Sequence, residues 1–227
     1  SAGTDNVRLG EDAGASIASG GNYNVVIGKD AGAALTTGDS NVAVGVEALY
    51  ATTTSNHNVA IGKGSLGSNV TGEKNIAIGS ASLDANTTGD QNVAVGNSAL
   101  GSMNITNGSA SYNTAVGADA GKSITTGVEN TIVGALAADA LTTGEVTAFG
   151  FRAGSSATTS VGNVLIGSLA GDQLTTGGNN TALGSQALAT ATTASKNVAL
   201  GHDALRNATA SNNTAVGCNA LVSTTSG

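Results

Sequence analysis

Thirteen times along this chain a short apolar run ends on glycine, always four residues after a fixed anchor position: Gly10, Gly28, Gly45, Gly62, Gly79, Gly96, Gly117, Gly134, Gly150, Gly167, Gly184, Gly201 and Gly217. The anchors are Asn6, Asn24, Asn41, Asn58, Asn75, Asn92, Asn113, Asn130, Asn163, Asn180, Asn197 and Asn213, with Val146 in the one degenerate copy. Eight of the twelve spacings are 17 residues, two are 16 and one is 18. The remaining spacing, 21 residues between Asn92 and Asn113, marks an insertion around Met103 to Ser111. A glycine kept in every copy implies a backbone requirement, either a positive φ or the close approach of a neighbouring backbone.

Counting from the anchor as zero, positions 1 to 3 read Val-Ala-Val, Val-Ala-Ile or close variants, the period-2 pattern of a strand. Val42 and Val44 should therefore point one way and Ala43 the other. Position 7 is Ala or Ser, and many copies go on to a Thr-Thr-Gly turn, as at Thr36, Thr37 and Gly38. Position 8 is Leu in some copies (Leu49, Leu66, Leu83, Leu100, Leu188, Leu205, Leu221) and Gly or Ala in others. Where it is small, position 11 usually carries the aliphatic, as Ile17, Leu35, Ile124, Leu141 and Leu174 do. Each copy thus supplies about one large aliphatic to a shared interior. The Val146 copy supplies neither, and Phe149 and Phe151 stand as its local compensation.

Seventeen residues are too few for a helix pair or a propeller blade but suit one coil of a repeat stack. The expected fold is all-β, a parallel β-solenoid or β-roll of about thirteen coils, occupying 1–227 as a single repeat domain. Coils rising by one strand spacing, about 4.8 Å, would give an elongated rod. Stacking would bring Asn41, Asn58, Asn75 and Asn92 into an amide ladder, and Gly45, Gly62, Gly79 and Gly96 into a second structural file. Helix is disfavoured by recurrent glycine, at about 1 kcal/mol each, and by β-branched threonine.

Composition agrees with a core of small residues. Charged residues make up 10% of the chain and aromatics 2%, with 34 Gly and neither Pro nor Trp, so large side chains cannot fill an ordinary globular interior. A net charge of -7 with eight Lys and Arg leaves no basic face for nucleic acid. No run of 18 apolar residues exists, so this segment is not expected to insert into a membrane. The first ten residues lack the pattern of a signal peptide, and the chain reads as a mature piece or an excised fragment. Cys218, the single cysteine, reads as a small apolar filler.

The motifs Asn41 to Gly45 and Asn58 to Gly62 resemble the head repeats of trimeric autotransporter adhesins, and the resemblance runs from Asn6 to Gly217. It implies a left-handed parallel β-roll, three chains side by side, and binding of host matrix or cell-surface molecules. The unit here is longer than that family's, and the Thr-Thr-Gly turns are a departure. Asn180 to Leu188 looks equally similar to repeats of bacteriophage tail fibres.

Nothing in the sequence assembles a catalytic group, and no enzyme activity, cofactor or metal site is expected. His57 and His202 lie eight coils apart, and each reads as a solvated residue. Gly117, Gly121, Lys122 and Ser123 fall one residue short of a phosphate loop and sit in ordinary repeat register. Asp12, Asp30, Asp119 and Asp203 share position 6 without running through an unbroken series of coils, so a continuous calcium ladder is not expected. Asn69, Asn86, Asn104, Asn107 and Asn207 match the N-glycosylation pattern, which chance explains in a chain so rich in Asn, Thr and Ser.

The expected role is a structural and adhesive rod of a surface adhesin or fibre, on a cell or virion surface, homotrimeric and contacting a glycan or host-surface receptor. The alternatives are a virion tail-fibre shaft, or a module that binds ice or another crystalline surface. The last would use a position-12 file of Thr36, Thr53, Thr87, Thr125, Thr142, Thr158, Thr175, Thr192, Thr209 and Thr225. Since the neighbouring threonine should face the opposite way, one outward file is expected rather than a broad array.

Overall fold

A computed structural model describes residues 3–106 and 108–224; Thr225 of the position-12 file and the Asn107 glycosylation motif lie outside these. The chain divides into two compact units, Ser1–Asn113 and Thr114–Gly227. The first holds β1 (Val7–Leu9), β2 (Val25–Ile27), β3 (Val42–Val44), β4 (Val59–Ile61), β5 (Ile76–Ile78) and β6 (Val93–Val95), each parallel to the next. The second holds β7 (Thr114–Val116), β8 (Thr131–Val133), β9 (Glu145–Phe149), β10 (Val161–Ile166), β11 (Thr181–Leu183), β12 (Val198–Leu200) and β13 (Thr214–Val216), again parallel in sequence order. The described residues contain no helix. The fold is the expected parallel β-solenoid, one three-residue strand per regular coil, in register residue for residue (Val42↔Val59, Ala43↔Ala60, Val44↔Ile61).

Glycine at position 4 meets both requirements that its recurrence implies. Gly45 has φ 134°, and a Cβ there would stand 2.6 Å from the carbonyl oxygen of Gly62 in the next coil. Past this glycine the chain turns through two left-handed residues, at positions 6 and 8, of which Glu47 (φ 58°) and Leu49 (φ 54°) are one instance. The alternation aims the N–H groups of these two residues at opposite neighbours: Glu47 donates back to the Lys29 carbonyl at 3.0 Å, and Leu49 donates forward to Ser65 at 3.0 Å. A third left-handed residue precedes most anchors, as Ser40 and His57 do. Each costs a non-glycine residue about 1–2 kcal/mol, and the axial hydrogen bonds hold it in place.

The strand residue that points inward is the small one. Ala43, Ala60, Ala77, Ala94, Ala115 and Ala199 are fully buried, while the flanking valines and isoleucines face out. The interior is completed by alanine or serine at position 7 and one leucine or isoleucine per coil. Leu49, Leu66 and Leu83 at position 8 and Leu35, Ile124 and Leu174 at position 11 are all fully buried, so the two positions do exchange. The reason is steric. A Cβ on Gly14 would come within 2.7 Å of Ile17 Cδ1, so in that coil the position-11 aliphatic fills the space that a position-8 side chain would need, while at Gly32 and Gly171 the inward strand residues Val26 and Leu165 fill it.

The coil anchored at Val146 is compensated differently from the sequence expectation. Phe149 and Phe151 are 38% and 51% exposed and contribute little to the interior. The volume comes from the next coil, where Leu165 takes the inward strand position usually held by alanine. Its Cδ1 would stand 2.7 Å from a Cβ placed on Gly154. Cys218 is exposed as well, because position 5 lies on the outer side of the turn, so it is no filler.

The exchange rule generates a stability test in the second unit. Leu188→Gly should destabilise by about 3 kcal/mol or more, the cost of deleting a buried leucine. Adding Ala191→Leu rebuilds the pattern of Gly171 and Leu174 one coil earlier and should recover most of that loss, read as the midpoint of urea unfolding.

Candidate functional site

The anchors form an axial ladder that is mixed, side chain to backbone. The Asn58 N–H donates to Asn41 Oδ1 at 3.0 Å, Asn75 to Asn58 at 3.0 Å, and Asn92 to Asn75 at 3.0 Å. Each side-chain amide then crosses the coil to a turn carbonyl: Asn58 Nδ2 donates to Gly72 and Asn75 Nδ2 to Gly89, at 2.9 and 2.8 Å. One buried asparagine thereby closes its own coil and accepts from the next. In the second unit the same pattern links Asn163, Asn180 and Asn197.

Val146 breaks the pattern. Its N–H still donates to Asn130 Oδ1 at 2.8 Å, but it has no amide to reach across the coil. At that place the buried Ser160 hydroxyl has no partner, whereas Ser55, at the same position of an earlier coil, donates its hydroxyl to the Val70 carbonyl at 3.4 Å and receives Asn41 Nδ2 on its own carbonyl at 2.9 Å.

A second buried polar file, not anticipated from the sequence, runs through Thr52, Asn69 and Asn86 at position 11. Asn69 Nδ2 donates to Thr52 Oγ1 at 3.1 Å and Asn86 Nδ2 to Asn69 Oδ1 at 3.2 Å. Full burial removes Asn69 and Asn86 as glycan acceptors in the folded chain. The missing aliphatic in these leucine-containing coils was the signal for this file.

The position-12 threonines direct their hydroxyls along the stack. Thr36 Oγ1 donates to the Thr53 carbonyl at 2.9 Å, Thr142 to Thr158 at 2.9 Å and Thr175 to Thr192 at 2.9 Å. Thr125 does the same to Thr142 at 3.2 Å, and Thr87 reaches the Asn104 side chain at 2.7 Å. Thr53 is half-buried in the same file. Thr125, Thr192 and Thr209 of this file are exposed, and the more regularly exposed file is one residue further on: Thr37, Thr54 and Thr71 in the first unit and Thr126, Thr143, Thr159, Thr176 and Thr193 in the second.

The most extensive surface feature is the outward side of the strands. In the first unit it consists of Val25, Val42, Val59, Ile76 and Val93 beside Ile27, Val44, Ile61, Ile78 and Val95, with no charged or amide side chain at these positions. In the second unit the first file is mostly threonine (Thr114, Thr131, Thr147, Thr181, Thr214), and the other is Val116, Val133, Phe149, Ile166, Leu183, Leu200 and Val216. Ile61, Ile78 and Ile166 are each 37% exposed and Leu183 is 48% exposed. Contiguous apolar exposure of this kind is a feature that interaction surfaces of other proteins share.

The insertion is mostly folded into the first unit. Met103 and Ile105 are buried, Met103 Sδ accepts from Asn113 Nδ2 at 3.3 Å, and Ala110 bridges to Asp90. Among its described residues the exposed ones are Thr106, Gly108 and Ser109.

Ionic contacts lie on the turns. Lys29 pairs with Glu11 at 3.0 Å, which raises the lysine pKa, and His202 Nδ1 meets Asp203 Oδ2 at 3.0 Å. Burial pushes the Asp84 and Asp139 carboxyls above their ordinary range, with Glu47 adding to the effect on Asp84. His57 is exposed. Among the described residues no three His, Cys, Asp or Glu side chains gather as metal ligands, and no helix is long and apolar enough to cross a membrane. No family model, curated protein or solved structure matches the chain.

Repairing the broken ladder provides a test of its contribution. Val146→Asn gives Ser160 the amide donor that the equivalent coils have, and should stabilise the chain by about 1 kcal/mol, the net worth of a buried hydrogen bond. Thermal unfolding beside the parent protein measures it.

Proposed function

We propose that the chain is the structural and adhesive shaft of a surface adhesin or fibre, working outside the cell as a parallel homotrimer. The observation that carries this reading is the uncharged, aliphatic outer side of the strands. An exposed file of Val, Ile and Leu favours burial at roughly 25 cal/mol per Å². A solenoid offers that file at the strand spacing, a period that a second copy of the same chain matches by construction.

Attachment in this reading is distributed. The exposed surfaces repeat from coil to coil, and the position-13 threonines present hydroxyls that suit a glycan or other repetitive receptor. Weak contacts multiplied over several coils and three chains reach useful avidity without a deep pocket. The resemblance to adhesin heads and to tail-fibre repeats points the same way, and both origins call for a shaft.

Mass measurement by light scattering tests the assembly: a species near three times the 21.6 kDa chain is expected, and a monomer at every concentration overturns it. Attachment is tested on immobilised surface glycans and matrix proteins. Removing 106–109 from the insertion should leave binding within about threefold if contacts are spread over many coils. Loss of all binding by a folded trimer would place the receptor site in that segment.

A further inference from the structure

Position 2 is the strand residue that faces the interior, and in the coil anchored at Asn6 it is Arg8, the one charged residue at this position among the thirteen copies. Arg8 pairs in register with the fully buried Val26 of the next coil, so its side chain leaves the strand on the interior side. It then lies across the end of that interior: Nε donates to the Ala13 carbonyl at 2.9 Å, and a Cβ on Gly14 would stand 3.3 Å from it. Ala13 and Ile17 of this coil are only 3% and 6% exposed, on a face that no described coil covers. Among the described residues no carboxylate pairs with the Arg8 guanidinium.

The acceptor that Arg8 takes is the one a stacked coil would use. Elsewhere in the first unit the position-7 carbonyl accepts the position-8 N–H of the coil before it: Ala31 from Gly14 at 2.8 Å, Ala48 from Gly32 at 2.9 Å and Ser65 from Leu49 at 3.0 Å. Arg8 Nε meets Ala13 at the same length, in the place where a preceding coil would put that N–H. The complementary groups stand open in the coil anchored at Asn213. No described group accepts from the Leu221 N–H at position 8, and Leu221 is 52% exposed, whereas Leu188 and Leu205 at the same position are fully buried. An unpaired N–H, an uncovered leucine and the free edge of β13 are the features with which each coil receives the next.

We propose that Arg8 is a cap that closes the Asn6 coil against the β13 edge of a second copy. Those two edges match as two consecutive coils do, and such a head-to-tail contact does not close on itself but runs on into filaments. With Arg8 in place, docking would seal its guanidinium between two coils or pull Nε away from Ala13. Residues 213–224 contain no Asp or Glu to receive the charge, and a buried cation without a partner is strongly disfavoured. An inward-pointing charge on an edge strand is a general device against edge-to-edge pairing. The cap acts on the strand edge and leaves the outer strand faces free, so it is independent of the number of chains that pack side by side.

Sedimentation over a range of concentrations tests this, with circular dichroism as the check on folding. Arg8→Ala restores the residue that most coils carry at position 2, and Arg8→Met keeps an apolar stem over the interior without the charge or the donor. Both should associate into species about twofold or more heavier than the parent's at the same concentration, and adding Leu221→Glu to either should return the parent's mass. Parent-like sedimentation of both folded variants overturns the proposal, as does association that Leu221→Glu leaves in place. If Arg8→Ala does not fold, Arg8→Met decides. Loss of fold by both would mean that Arg8 holds its coil together rather than closing the end, and overturns the cap as well. So does a parent chain that already grows heavier with concentration and stops doing so with Leu221→Glu.

Discussion

Coils stack at the spacing of hydrogen-bonded strands only where no side chain intrudes between one backbone and the next, and the glycine file is where that condition recurs most regularly. A Cβ at Gly10, Gly28, Gly45, Gly62 or Gly79 in the first unit, or at Gly117, Gly134, Gly150, Gly167, Gly184 or Gly201 in the second, would stand between 2.3 and 2.7 Å from the following glycine. With φ near 130–140° as well, alanine is excluded twice over, by contact and by conformation. The remaining features of the coil follow from this approach. It brings each asparagine within reach of the next anchor's N–H, and it lets the left-handed turn residues spend their N–H groups on neighbouring coils rather than on water.

A coil this narrow has little interior, which explains why the inward strand position is alanine and why one large aliphatic suffices. Leu49 and Leu35 occupy the same interior from different points on the chain, and in the Leu35 coil a Cβ on Gly32 would stand 2.8 Å from Val26 Cγ1. The same volume rule extends to a third source, since Val26, Ile132 and Leu165 are large where the strand normally carries alanine. Volume is thus shared between adjacent coils, not balanced within each one.

The repeat frame, the strand positions, the anchor ladder and the leucine exchange were legible because each recurs as a residue type at fixed spacing. What was not legible is conformation that residue type does not announce. Leucine at position 8 takes φ near 50° in several coils, although left-handed leucine is rarely adopted and nothing local favours it; axial hydrogen bonding imposes it. The direction of the threonine pair was likewise hidden. Alternation correctly separates Thr36 from Thr37, but which of them faces water depends on where the chain leaves the turn, and the hydroxyl that the sequence offers to a ligand is donated to Thr53 instead. Phe149 and Phe151 were read as interior because their coil lacks a leucine, whereas the deficit is met by Leu165 from the following coil.

The same coil concentrates most of the departures in the second unit: an anchor without an amide, a buried serine hydroxyl without a partner, a glycine-centred register shift and two exposed phenylalanines. Each weakens packing or hydrogen bonding that the neighbouring coils complete. A stack of near-identical units has no intrinsic way to tell one axial height from another, since every coil offers its neighbours the same surface. A coil that gives up part of the ladder gains a distinct outline, with two exposed phenylalanines where the neighbouring coils carry smaller side chains. Local rules broken together at one place, in a chain that keeps them elsewhere, are what a recognition position requires.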